Sequence, residues 1–187
     1  GEDALKAFGA AAASTGGVGL FHILGVTPEA PDLETATGGT PLRETIQVTA
    51  AMFKETQRRL ATTERTDKID AVAIGSPHLS GAEFDRLSAL IAGRKLSIPF
   101  YACTGRHALK EIETNGSRRS LEASGVTIVA DTCVVVTPIL KDMAGGVLMT
   151  NSGKFAQYAP GNTGYGVMFG SMAECVESAV TGRPTYE

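Results

Sequence analysis

Six apolar runs of strand length recur along this chain, each set apart from the next by a helical pattern or a cluster of turn residues. They are Val18 to Leu24, Ala71 to Ile74, Ile98 to Ala102, Val126 to Ala130, Val147 to Thr150 and Tyr165 to Phe169. Their apolar character is continuous rather than alternating, which suits parallel strands covered on both faces. The expected fold is therefore α/β, a layered α/β/α arrangement around a mostly parallel sheet. A chain of 187 residues with 43% hydrophobic content can build one substantial core, burying roughly 70% of the surface its unfolded form exposes. Residues 1–187 are read as a single α/β domain. The chain opens on a helix-like small-residue segment, "DALKAFGAAAAS", with no strand before it and no start methionine, so the domain is further read as a fragment of a larger polypeptide.

The segments between the runs carry helix signals. Ser80 and Glu83 form a capping box, in which hydroxyl and carboxylate each satisfy an orphan amide, and Phe84, Leu87 and Ile91 then fall on one face before Gly93. Ser171 and Glu174 repeat the box ahead of Met172, Val176, Ala179 and Val180, with Gly182 as terminator. A helix is predicted from Pro41 to about Leu60, burying Leu42, Ile46, Ala50 and Phe53, and a shorter one from Arg106 to Asn115. Residues 25–41, rich in Gly, Pro, Thr and acids, read as a long loop.

Charge and cysteine usage narrow the function classes. The net charge is −3 with no basic block, so nothing supplies the attraction to phosphates that nucleic-acid binding uses. Three cysteines without regular spacing argue against a disulfide framework and for a reducing compartment, the cytoplasm. No apolar run reaches the roughly 18 residues of a membrane span.

Ligands of open parallel sheets bind where the carboxyl ends of the strands converge. After the run Ala71 to Ile74 comes "GSPH", with Ser76 and His78; after Ile98 to Ala102 comes "CTGRH", with Cys103, Thr104, Arg106 and His107. "DTC" follows Val126 to Ala130 and brings Cys133, while "NSGK" follows Val147 to Thr150 and brings Asn151, Ser152 and Lys154. The turns at the opposite edge, "GRKLS", "EASG" and "MAGG", offer mostly caps and ordinary surface groups. That asymmetry points to one site along the carboxyl edge.

Each residue has a plainer reading beside the functional one. Cys103 and Cys133 occupy equivalent places on successive strand ends and could share a metal or an iron–sulfur cluster, or be small core residues. Cys175, on a helix among Met172, Val176 and Ala179, and His22, inside an apolar run, are assigned to the core. Arg106 could grip a substrate carboxylate with its planar fork or make a surface ion pair. Ser152 could be an N-cap or a hydroxyl activated by the nearby Lys154. The "STGGVG" glycines precede a run when a dinucleotide fingerprint must follow one, and are set aside.

Taken in order, "GAAAASTGGVGLFHILGVTPEAP", "AIGSPHLS", "YACTGRHALKEIE", "GVTIVADTCVVVTP", "TNSGKFAQYAPG" and "FGSMAECVESAVTGRP" resemble the aconitase X family across nearly the whole chain. The resemblance implies an aconitase-like domain, the C-terminal part of a large catalytic region, partnered by an N-terminal portion and a small swivelling domain of the same enzyme. It implies a hydro-lyase acting on a small-molecule hydroxy acid with an iron–sulfur cluster as Lewis acid. Cys103 and Cys133 would be cluster ligands; Ser76, His78, Thr104, Arg106 and Asn151 would face the substrate; Ser152 would be the catalytic base, assisted by Lys154. Two branches of the family dehydrate cis-3-hydroxy-L-proline and phosphomevalonate. Many members, the archaeal ones especially, carry Cys where this chain has Ser76, and the departure favours the hydroxyproline branch. Two rival readings are a noncatalytic α/β ligand-binding or assembly domain, and a zinc hydrolase, for which no compact set of three ligands is visible.

Overall fold

The computed structural model describes residues 1–63, 67–140 and 145–186. Five strands form one all-parallel sheet: β1 (Ala71–Leu79), β2 (Phe100–Thr104), β3 (Val126–Ala130), β4 (Val147–Thr150) and β5 (Gly166–Phe169), in the order β3-β2-β1-β4-β5. Among the described residues eight helices accompany them: α1 (Glu2–Gly16), α2 (Leu33–Thr37), α3 (Ala50–Leu60), α4 (Gly81–Ile91), α5 (Arg106–Thr114), α6 (Ser117–Ser124), α7 (Gly153–Thr163) and α8 (Met172–Thr181). No helix among the described residues is long and apolar enough to cross a membrane.

The strand side chains sort into two cores. Val72 and Ile74 of β1 join Phe100, Ala102 and Val126 under α4, α5, α6 and α8, where Phe84, Leu87, Ile91, Ile112 and Leu121 are buried. Ala71 and Ala73 face the other way, with Cys103, Leu148 and Val167, against Phe155, Ala156 and Ala159 of α7. The period of two along each strand thus splits one apolar run between two helical layers, as parallel strands require. Both capping boxes form, Ser80 with Glu83 and Ser171 with Glu174. Cys175 is fully buried.

Four expectations are corrected. Val18 to Leu24 is not a strand: Val18 and Leu20 are exposed and the segment joins no sheet. An apolar run of strand length only forms a strand where a neighbour offers a ladder, which is why periodicity alone misleads here. His22, placed in the core on the strength of that run, is exposed. The helix expected from Pro41 starts only at Ala50, with the Thr49 hydroxyl accepting the Met52 N–H. The β-branched cluster Thr45, Ile46, Val48 and Thr49 loses side-chain freedom in a helix, and Leu42, Ile46, Ala50 and Phe53 are exposed rather than buried. Residues 25–41 contain a short helix, α2, capped by Asp32. The "MAGG" turn lies partly outside the described residues.

β1 also runs further than its apolar core. Its pairing with β2 shifts register between Ile74 and Leu79, where Gly75 adopts φ 92°. Strand order places the divergence of connections between β1 and β4, and in such sheets the crevice at that divergence holds the ligand.

Candidate functional site

The β1 extension from Gly75 carries Ser76 and His78 past the end of β4, and β2 carries Cys103 in its last turn of pleat. Cys103 pairs in register with Val129 of β3, and the chain leaving β3 stays bonded to the end of β2. That chain turns at Asp131, a non-glycine residue held at φ 56°. Its backbone N–H donates to the Thr104 carbonyl at 2.8 Å. Its carboxylate accepts from the Arg106 backbone N–H at 3.1 Å and pairs with the Arg106 guanidinium. A left-handed residue locked by three such contacts is strain retained at a place where the backbone must be aimed, and what it aims is Cys133.

The two sulfurs meet. The Cys103 thiol donates to Cys133, which also takes hydrogen bonds from the Val135 backbone N–H and the Ser76 hydroxyl and lies near the Lys154 ammonium. Led by the Cys103 bond and opposed by burial, these contacts bring the Cys133 thiol down to about 6. Cys103, donor to Cys133 and buried, is pushed far up. Burial likewise raises Cys175, an isolated core thiol. The pair is therefore biased towards a proton on Cys103 and a thiolate on Cys133; Cys133 lines a cavity of about 270 Å³, walled by Ser76, His78, Asp131, Lys154 and Tyr158, and Cys103 is buried behind it.

Not every expected residue reaches this cavity. Ser152 is the N-cap of α7: its Oγ accepts the Phe155 N–H at 3.0 Å and donates to the Ser76 carbonyl. With Asn151 it lines a smaller cleft of about 60 Å³ on the other side of Ser76, so Ser76 is the shared wall between them. Thr104 is fully buried and donates to the Leu79 carbonyl at 2.7 Å, which occupies its hydroxyl in joining β2 to β1. Arg106 stands at the rim, its side chain 87% exposed and paired with Asp131, the ion-pair alternative. Three contributors went unread from sequence: Asp131 as the partner of Arg106, and Tyr158 and Asn162 on α7. The last two follow Lys154 at intervals of four along one helix face, a spacing that could have found them.

Whether the residues suit an iron–sulfur cluster is decided by the donor set. Two adjoining soft sulfurs, one already biased towards thiolate, are what such a centre takes from a protein. No group of three or more His, Cys, Asp or Glu side chains able to hold a metal ion occurs among the described residues. Cys103 and Cys133 thus fit as two members of such a ligand set.

Comparison with known proteins gives the same direction. The family described as aconitase X third domain matches residues 69–181, and aconitase X second domain matches residues 1–58. A cis-3-hydroxy-L-proline dehydratase of Pseudomonas aeruginosa is 42% identical over 97% of this chain and 32% of its own length. A phosphomevalonate dehydratase large subunit of Methanothermobacter thermautotrophicus is 35% identical over 89% of this chain and 40% of its own length. The crystal structure of Thermococcus kodakaraensis aconitase X in its holo-form superposes with a TM-score of 0.81 at 28% identity, covering 96% of this chain and 44% of that one. The chain spans about a third to two fifths of the curated relatives it matches.

Proposed function

This chain belongs to the aconitase X family, and from that membership we propose that it is part of a hydro-lyase that removes water from a small hydroxy acid, cis-3-hydroxy-L-proline before phosphomevalonate. The observation that carries the reading is the meeting of Cys133 with the buried Cys103 at the edge of a cavity that Cys133, Ser76, His78 and Lys154 line. Cys103 and Cys133 would hold an iron–sulfur cluster, which when bound supplies a Lewis acid for the departing hydroxyl. The remaining ligands, the N-terminal portion and a small swivelling domain belong to the rest of the polypeptide.

The chain's own residues divide the other work. Elimination next to a carboxylate needs a base for the acidic proton and a grip on the acid. Ser152 is assigned as base: its hydroxyl leaves the Ser76 carbonyl and passes its proton to the amine form of Lys154, and Oγ then takes the substrate proton, so that the one proton removed is carried by the Ser152–Lys154 pair. The Lys154 ammonium, across Ser76, lowers the cost of the anionic oxygen. Arg106 is assigned to the carboxylate, since Asp131 holds its Nε and no other hydrogen bond engages its guanidinium among the described residues. Ser76 and His78 shape the wall and Asn151 the cleft behind it, whereas Thr104 supports the strand end from below.

The preference for hydroxyproline rests on Ser76, a hydroxyl where a third thiol would otherwise stand, together with the similarity to the Pseudomonas enzyme. The test is Cys133→Ala in the full-length enzyme, assayed on both substrates. Loss of visible absorption together with loss of turnover is expected; a variant that keeps both removes Cys133 from the mechanism.

A further inference from the structure

We propose that Lys6, on α1, is a positioning residue for the reaction proposed above, holding the end of β1 that carries Ser76 and His78. Its ammonium donates to the His78 carbonyl at 2.9 Å, to Glu83 Oε2 at 2.5 Å and to Asp3 Oδ1 at 2.9 Å. An ammonium has three N–H donors, and here each has one acceptor, from three different segments.

The acceptors are themselves joined. Glu83 is the carboxylate of the α4 capping box and accepts the Ser80 backbone N–H at 2.9 Å. The Ser80 hydroxyl accepts the Glu83 N–H at 3.2 Å and donates to Asp3 Oδ2 at 2.9 Å. The ring Lys6–Glu83–Ser80–Asp3 therefore closes around the two residues that follow His78. Burial works against the charge on Lys6, whose side chain is 30% exposed, but Glu83 and Asp3 outweigh it and keep the ammonium protonated.

Position makes this more than a helix staple. The next residue, Ala7, lines the small cleft together with Ser76 and Ser152. One turn on, Ala11 lies where a side chain on Gly153 would touch it at 3.4 Å, at the start of the helix that Ser152 caps. α1 thus bears on the end of β1 and on the start of α7, the helix that follows β4, and Lys6 is its polar attachment to the first of them. With the attachment gone, the His78 carbonyl, Glu83 and Asp3 lose their common donor, and the wall formed by Ser76 and His78 is free to drift. Displacements of about 1 Å at such a wall cost substrate binding and orientation long before they cost folding.

The inference rests on the dehydratase reading, and its test separates the two. In the full-length enzyme, Lys6→Met is expected to raise KM about tenfold while kcat stays within about threefold and the visible absorption is unchanged. Lys6→Arg, which keeps the charge but points its donors in a plane, is expected to recover part of the lost affinity. Lys110→Met, on the exposed face of α5, is the control and should leave both constants alone. Wild-type KM in Lys6→Met overturns the proposal, and so does a uniform loss of activity that tracks a fall in melting temperature and that Lys6→Arg does not relieve. If the wild-type enzyme dehydrates neither substrate, the functional reading fails by itself, and amide exchange decides about Lys6. Faster exchange over residues 78–80 in Lys6→Met, with the sheet amides unchanged, supports the attachment, and unchanged exchange there overturns it.

Discussion

The Ser152 hydroxyl accepts one hydrogen bond from the Phe155 amide and donates another to the Ser76 carbonyl, so in the resting geometry it serves the backbone. A base for elimination must be let go from the second of these while the first still caps α7. The two duties separate by substitution. Ser152→Ala removes an N-cap acceptor and is expected to cost about 1 kcal/mol of stability, whereas Ser152→Gly costs a few tenths. Both are expected to lower turnover by about 10²–10⁴ if the oxygen takes the substrate proton. Chemical denaturation and steady-state rates on the same samples check this; rates that follow stability across the pair reduce Ser152 to a cap. At this scale the sequence was readable where a residue type has few uses. Two thiols on neighbouring strand ends pointed to each other, and they meet. Arg106 has many uses, and nothing local to it announced that Asp131, 25 residues on, would take its guanidinium. Thr104 reads as a site residue because it sits among reactive neighbours, while in the fold a hydroxyl on a covered strand turns to the nearest carbonyl.

Strands and helices obey a different legibility. The two capping boxes and the strand cores of β2 to β5 follow from local chemistry, hydroxyl and carboxylate at the right interval or an apolar run between turns, and they form nearly as read. β1 is longer than its apolar run because its last residues are held by β2 and not by their own preference. Gly75 is the point of that departure. A Cβ there would stand 2.2 Å from the Cys103 carbonyl oxygen and 2.8 Å from its nitrogen, both backbone atoms that cannot rotate away. Gly75→Ala is therefore expected to destabilise by about 2–5 kcal/mol, from the positive φ and the forced separation of strands together. A fall of roughly 5–15 °C in melting temperature follows for a chain of this size. Because the displaced atoms belong to Cys103, absorption of the cluster proposed to bind there should weaken as well; a variant with the wild-type melting temperature would show that β1 and β2 have slack. α3 failed from Pro41 to Thr49 through β-branched residues that apolar spacing alone had disguised.

Across the molecule, the apolar surface is unevenly distributed. Of the exposed large apolar side chains among the described residues, all but Val136 and Tyr158 lie between Phe8 and Phe53. Ala30 is the sole buried residue of the first 60. The sheet and its two cores are self-sufficient, while the preceding segment presents Leu20, Ile46 and Phe53 without cover. Periodicity could not distinguish a residue that packs within the chain from one left for other surfaces, since both look apolar. Amide exchange on the 187-residue chain is expected to be fast across residues 41–48 and slow at Val72 and Tyr101. In the full-length enzyme the first group should slow markedly; equal rates in both would mean that nothing covers it. The strand order carries one more consequence, for synthesis. Asp70 and Val147, 77 residues apart, are bonded where β1 meets β4. At translation speeds of about 5–20 residues per second, the most central strand spends roughly 4–15 s outside the ribosome with one flank bare. That interval is when a nascent chain of this topology most needs a chaperone, and slowing elongation between the two codons would lengthen it.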